Sequence, residues 1–576
     1  MNKNLAGLVP LRLQRRVYES MPVPVWNAVR DVGTGSTRWQ RRVRTARLAR
    51  LEQRAAGTVD GPVTAVVYRG ERFLARPVDR FTADAVIARN ADFVCGALEG
   101  AGIRYLVVDA PVQRRRVVAV AEGDRAAVSA ALRRAGLRLP VYVREVHPDP
   151  NRPSAPLSAP RALGGAGAYA VFELFAAPGA PEAMCGPELG CELQFWQVRE
   201  LDGPADNHTG EPLAAGSWVA PRRNRWADAI PADLVARPVR RTVDGTTRPC
   251  IPTLSDRHVF DADFPIDVVY TWVDGQDPEW AARKAAAHGG VDSADLNEFS
   301  HNESRFLSRD ELRYSLRSLD MYAGWVRHVY LVTDNQVPTW LDTSNPRITV
   351  VDHRDLFAGR GVLPTFNSHA IESQLHHIPG LSDHYLYLND DVFFGRPVGP
   401  GRFFAGNGLA YFFPSTAKLG LGVTGSFDRP VMSGGKNNRD LIHKTFDRVI
   451  TNKFKHVPIT QRRDVLLDLE ERFADEFAET AGHQFRDPTD ISIVSSLHHY
   501  HAFLTGRAAE GRLRYFYADI AAPETDRRLR RLLRSRDYDV FCLNDHDSSG
   551  LDPEVQHRML QDFLNRYFPL PSDFEK

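Results

Sequence analysis

The sequence predicts an α/β fold in its C-terminal half, with α+β material before it, and three observations carry that reading. After Phe264 the apolar runs "IDVVYTWV", "HVYLVTD", "RITVVDH" and "HYLYLNDD" alternate with helical patterns, the mark of a largely parallel sheet joined by crossover helices. Each run has an aspartate at or just beyond its end, and ligands of open α/β sheets sit at such strand ends. At 576 residues the chain also exceeds what one core usually organises, so two or three domains are expected.

The first run, within "FPIDVVYTWVDGQDPEW" (264–280), reads as a central strand that Asp274-Gly275 and Asp277-Pro278 turn at its end. In "SRDELRYSLRSLDMY", Ser308 and Glu311 have capping-box spacing and Leu312, Leu316 and Leu319 share one helix face. In "LPTFNSHAIESQLHHIPG", Ser368 is the expected N-cap of a helix striped by Ile371, Leu375 and Ile378. Glu372 stands one turn beyond Ser368, so hydroxyl and carboxylate can face a common cleft. "YLYLNDD" then sets Asp390 and Asp391 after an apolar strand; paired carboxylates suit a hard divalent cation.

"SGGKNNRDLIHKTF" offers Lys436 and Asn438 just before a helical pattern, where backbone N–H groups favour a phosphate. It lacks the full phosphate-loop signature. The helix "DVLLDLEERFADEF" has His456 shortly before it and Arg486 shortly after: a histidine can take a proton from a hydroxyl, and an arginine can clamp a phosphate. His498, His499 and His501 lack HExxH spacing and read as surface and packing. "VFCLNDHDSSG" repeats the strand-then-acid pattern at Asn544 and Asp545.

Upstream, "VTAVVYRG", "IRYLVVDA" and "RVVAVAEG" read as strands and "DRAAVSAALRRAG" as a helix closed by Gly136. The Pro/Ala/Gly-rich stretch 148–179 suggests a linker or irregular excursion, "GCELQFWQVREL" a strand, and the polar run to about Arg257 a loop-rich segment. The expected organisation is a basic, helical or disordered arm over 1–59, an accessory region over 60–255 and a catalytic domain over 260–576.

A net charge of +1 argues against a dedicated nucleic-acid binder. The charge is uneven, because arginine dominates the first fifty-odd residues, as in an arm that touches anionic lipid or a polyanionic product. No run of about 18 apolar residues and no signal peptide is expected from the pattern. Five cysteines without a CxxC pair fit a reduced, cytoplasmic setting, with peripheral contact at the inner face of a membrane through the arm.

Taken together, "IDVVYTWVDGQDP", "DELRYSLRSLDMYAGWVRHVYLVTDNQVPTWL" with "LPTFNSHAIES" and "YLYLNDDVFFG", "HVPITQRRDVLLDLEERFADEF" to "FRDPTDIS", and "CLNDHD" with "FPLPSDFE" resemble the Stealth family of sugar-1-phosphate transferases. The four blocks run in order over about residues 264 to 575. The resemblance implies a glycosyltransferase-A-like, nucleotide-sugar-binding catalytic domain. It also implies that a nucleotide-sugar donor, UDP-hexose or UDP-N-acetylhexosamine, is split at its pyrophosphate, and that the sugar phosphate passes to a glycan acceptor.

Residue by residue, the resemblance places Asp267 in the nucleotide-binding strand, and Ser368, Glu372 and Asp391 in the second block. His456 and Arg486 match the active-site histidine and arginine of the third block, and Asn544 and Asp545 match the last. Mg²⁺ or Mn²⁺ would be held by Asp391 and Asp545. Arg486, with Lys436 as a second candidate, would hold the pyrophosphate. His456 would activate the acceptor, a role Glu372 or Asp391 could share. "HVPITQ" departs from relatives that carry a second proline or histidine there, which bears on the acceptor contacts. Two other readings compete: a metal-dependent glycosyltransferase that releases UDP, and a catalytically dead polysaccharide-binding protein. The motif positions are intact, which disfavours the second. The aromatic strand "LQFWQV" suggests that the accessory region binds acceptor.

Overall fold

The computed structural model describes residues 46, 48–53, 57–108, 115–149, 152–203, 212–223, 226–289, 306, 308–425, 428–522, 524–545 and 552–576. Most of the basic arm lies outside the described residues. Where the arm is described, Glu52 accepts from the Thr64 hydroxyl (3.0 Å) and the Ala65 amide (2.6 Å), fastening its end to the first accessory strand.

The C-terminal half is built on a five-stranded sheet. Its strands are β1 (Ile266–Thr271), β2 (Val329–Thr333), β3 (Ile348–Asp352), β4 (His384–Asn389) and β5 (Ile459–Arg462), in the spatial order β3-β2-β1-β4-β5. The first four are parallel and β5 is antiparallel to β4. Val268, Val269 and Tyr270 are fully buried, as expected of a strand covered on both faces. Helix α1 (Glu311–Tyr322) covers the sheet with Leu312, Leu316 and Leu319 buried. A smaller sheet pairs Val392–Phe394 with β7 (Val540–Asn544), and β7 with β6 (Tyr515–Asp519), carrying the second Asn-Asp run next to the first.

The accessory region folds around a ten-stranded sheet. It is not strung on a linker, because Phe81, Ile87, Phe175, Met184 and Leu189 belong to the same core cluster as β1, β2 and β4. The stretch 148–179 is corrected by the structure: Ala168–Glu173 is a strand with all six residues buried. Its alanines hid it, since a strand buried on both faces shows no alternation. The segment before Arg257 likewise contains a hairpin, Val239–Val243 with Thr246–Cys250. Asp244 and Gly245 turn it with φ of 51° and 80°, the geometry an Asp-Gly pair supplies.

Several helix starts also differ from expectation. Ser308 and Glu311 form no capping box; Asp310 precedes α1 in the left-handed region and Glu311 accepts instead from the Arg309 amide (2.6 Å). Asn367, not Ser368, caps the short helix α2 (Ser368–Glu372) by accepting from the His369 amide. Lys436 and Asn438 lie inside helix α3 (Pro430–Phe446), which starts at a proline and runs through Gly434 and Gly435. The run after His456 breaks at Phe473 into α4 (Arg463–Arg472) and α5 (Ala474–Gly482). His498, His499 and His501 are buried rather than on the surface. Burial pushes the His499 imidazole down to about 3, and His498 Nε2 accepts from the Arg462 amide (2.9 Å).

Candidate active site

Thr271 at the end of β1 lies beside Asn389 at the end of β4. From β1 the chain goes to β2 on one side, and it later returns to β4 on the other. The crevice this opens at the strand ends is where open α/β sheets place their ligands. A cleft of 1310 Å³ opens there, and Ser368, Glu372, Asp391, His456, Arg486, Asn544 and Asp545 all line it.

One end of the cleft is rich in carboxylates. Asp391 follows β4, and its Oδ2 accepts from Asn544 Nδ2 (2.9 Å) and Cys542 Sγ (3.2 Å), both from β7. Its other oxygen, Oδ1, is buried with no hydrogen-bond partner, as is Asp545 Oδ1. Asp545 Oδ2 accepts from Arg309 Nη2 (2.8 Å). Burial pushes Asp390 well up, with Glu311 and Asp391 adding to the effect. Burial likewise carries Glu311 up to about 7, against hydrogen bonds and Arg309 that lower it. Asp390, Asp391, Glu311 and Asp545 thus line this end together with Arg309, and two of their oxygens are buried without a hydrogen-bond partner. That donor set fits Mg²⁺ or Mn²⁺, which take carboxylate oxygens, and Asp391 and Asp545 are the residues that would hold the ion. His456 borders this end with Nε2 3.5 Å from Asp391 Oδ1, and the Asn389 amide nitrogen stands 3.0 Å from the same ring nitrogen.

The other end carries a buried guanidinium beside a buried carboxylate. Arg486 donates from Nη2 to Ser368 Oγ (2.6 Å), while its buried Nη1 has no partner. Burial lowers the pKa of this guanidinium, with Glu372 and Asp490 opposing the shift. Burial also raises the pKa of Glu372, although His369 and Arg486 pull it down. Its carboxylate lies 3.4 Å from the Tyr387 hydroxyl. The arrangement of Ser368 and Arg486 is held from behind by Asp490, which accepts from Asn367 Nδ2 (2.8 Å) and contacts His483 Nδ1 (2.8 Å).

Three residues proposed from the sequence lie elsewhere. Asp267 is at the opposite end of β1, fully buried, where it accepts from Arg327 Nε (2.8 Å), Arg327 Nη2 (2.5 Å) and the Ser382 amide (2.7 Å). Lys436 is tied to Asp428 (2.7 Å) and the Val423 carbonyl (2.9 Å). Asn438 is buried and bonds the backbone of Ser492 in both directions. None of the three lines the cleft; each holds chain segments together.

The cleft also contains residues the motif reading missed. Glu311 and Arg309 were read as part of a helix start, yet both face the carboxylate end. Lys453, on a short strand (Asn452–Phe454), and Lys455, just beyond its end and next to His456, both line the cleft. The signal for them was their position in the same short run as His456.

Comparison with known proteins identifies the family. Conserved regions 1 to 4 of the Stealth proteins match in chain order at residues 264–292, 305–412, 455–503 and 530–576. An exopolysaccharide phosphotransferase of Streptomyces coelicolor is 44% identical over 501 residues, spanning 84% of this chain and 82% of its own. A second one from that organism is 38% identical across 99% of this chain and 97% of its own. The exopolysaccharide phosphotransferase CpsY of Mycobacterium tuberculosis is 38% identical over 68% of this chain and 70% of its own. Among solved structures, the galactosyltransferase LgtC with donor and acceptor sugar analogues is similar at 11% identity and a TM-score of 0.27, over 51% of this chain and 95% of its own. That likeness is too distant to bear on chemistry. With all four conserved regions present and close relatives matched nearly end to end, the chain belongs to the Stealth family.

Proposed function

We propose that the protein transfers a sugar 1-phosphate from a nucleotide-sugar, UDP-hexose or UDP-N-acetylhexosamine, to a glycan hydroxyl during exopolysaccharide or cell-wall glycan synthesis. One observation carries this reading: a single cleft holds carboxylate oxygens in need of a cation and a buried guanidinium in need of an anion. A metal-bound pyrophosphate satisfies both.

A divalent ion held by Asp391 and Asp545 would neutralise charge on the pyrophosphate. Arg486, fixed by Ser368, turns its free Nη1 to the phosphate oxygens. His456 Nε2 takes the proton of the acceptor hydroxyl as that oxygen attacks the phosphorus bonded to the sugar. The bond to the nucleotide's own phosphate breaks, and the nucleoside monophosphate leaves with the electron pair. Such catalysis rests on in-line positioning and charge neutralisation. Asn544 supports it by holding Asp391 Oδ2, so that Oδ1 stays turned away from β7.

The arginine-rich arm supports a place at the cytoplasmic face of an anionic membrane. Among the described residues no helix is long and apolar enough to cross a bilayer. Vesicles with anionic lipid should retain the full chain and lose it when residues 1–59 are removed.

The deciding experiment measures the nucleotide released from UDP-glucose and UDP-N-acetylglucosamine with Mg²⁺ or Mn²⁺, using a cell-wall glycan extract as acceptor. UMP that depends on metal and on Asp391 is expected. UDP in its place would make the enzyme a glycosyltransferase that cleaves the sugar–phosphate bond.

A further inference from the structure

Apart from the cleft, His376, His377 and Glu470 bring three ligand atoms within 4.8 Å of one another. The histidines end a single 3₁₀ turn, Leu375–His377, and the glutamate comes from α4. His376 Nε2 lies 2.8 Å from Glu470 Oε2 and His377 Nε2 lies 3.0 Å from Oε1, with ring centroids 4.1 Å apart. In an extended strand adjacent side chains point to opposite faces. Here the tight turn aims both imidazoles at one carboxylate.

The Glu470 carboxylate meets the Nε2 atoms of both imidazoles. Among the described residues no lysine or arginine pairs with Glu470. The nearby Arg463 donates its Nε to the His376 carbonyl instead (2.8 Å). The trio offers two imidazole nitrogens and a carboxylate, a donor set that zinc takes. His376 is fully buried, while His377 and Glu470 keep side-chain exposures of 20% and 28%, leaving room for a water as fourth ligand.

We propose that His376, His377 and Glu470 form a structural Zn²⁺ site separate from the catalytic cleft. Metal there ties the turn that follows α2, four residues beyond Glu372, to α4, which follows directly on β5. It would brace two walls of the cleft from behind without touching substrate.

The test is equilibrium dialysis of the full chain against micromolar ZnCl₂ near neutral pH, with metal counted for wild type, His377→Asn, Glu470→Gln and Asp391→Asn. One zinc equivalent is expected that weakens by at least about ten-fold in the first two variants and persists in Asp391→Asn. Co²⁺ in its place should give the intense visible absorption of a four-coordinate site in wild type and Asp391→Asn, and not in Glu470→Gln. A second measurement uses wild type alone, so that misfolded variants cannot decide the outcome: bound zinc should protect His377 from carbethoxylation, located by peptide mapping. The proposal is overturned if wild type binds no zinc, if the equivalent survives in both ligand variants, if it is lost with Asp391, or if zinc leaves His377 fully reactive.

Discussion

The two ends of the five-stranded sheet treat an aspartate in opposite ways. At the N-terminal end of β1, Asp267 is fully buried and each of its oxygens accepts from Arg327, with the Ser382 amide adding a third donor. At the C-terminal end of β4, Asp391 is only partly buried, but its Oδ1 is shielded from water with no hydrogen-bond partner, and Asp390 and Glu311 stand near it. A buried charge whose bonds are complete supports a fold. One left incomplete costs free energy unless a ligand completes it. The difference separates an acid whose bonds are complete from one left with an open oxygen, and the proposed function rests on the second.

The largest test of this contrast is Asp391→Asn. It should lower turnover by about a thousand-fold or more while the melting temperature stays close to wild type. Substantial activity in that variant would break the functional side of the comparison.

Arg486→Lys comes next, because it keeps the charge but loses the fork that leaves Nη1 free beside the Nη2–Ser368 bond. A loss of about a hundred-fold in kcat/KM is expected from steady-state kinetics. An effect confined to stability would move Arg486 to the structural side.

Asp267→Asn should show the reverse pattern. Losing the charge-assisted bonds to Arg327 costs about 2 kcal/mol in denaturant unfolding, with turnover per folded molecule little changed. A large loss of donor affinity at unchanged stability would restore Asp267 to the site.

Asp490 sharpens the comparison, since it is a fully bonded acid placed behind the site. Burial raises its pKa, but hydrogen bonds from His369 and His483 dominate and bring it from the ordinary 3.8 to about 2. The folded carboxylate therefore holds its proton less tightly than the unfolded one. Its contribution is present above pH 3.8 and fades as pH falls toward 2. Thermal unfolding across that window should show wild type more stable than Asp490→Asn by about 1–2 kcal/mol at the upper end, with the gap closing on acidification.

Much of the architecture was legible in the chain itself. β1 to β4 were visible because apolar runs of strand length alternate with helical stripes, and the acids after them marked the strand ends. Ala168–Glu173 was not visible, since its small residues are buried on both faces and leave no period. Gly434 and Gly435 nonetheless sit within α3, where a Cβ would press on Ser492 at the first position and clash with Leu419 Cδ2 at the second. Lys436 then looked like a phosphate ligand only because its partner Asp428 is contributed by the chain just before the helix.

By itself the sequence determined the strand-and-helix order, the placement of acids after β4 and β7, and membership of a family whose conserved regions it carries in order. Those properties are local: hydrophobic period, turn residues and motif spacing act over a few neighbours. Only the tertiary structure decided which polar groups are satisfied. Asp267 meets Arg327, Arg486 meets Ser368, and Asn544 and Cys542 reach Asp391 through pairings 60, 118, 153 and 151 residues apart. The free energy of a buried charge is set by what surrounds it in space, and the order of residues along a chain does not specify that until the chain has folded.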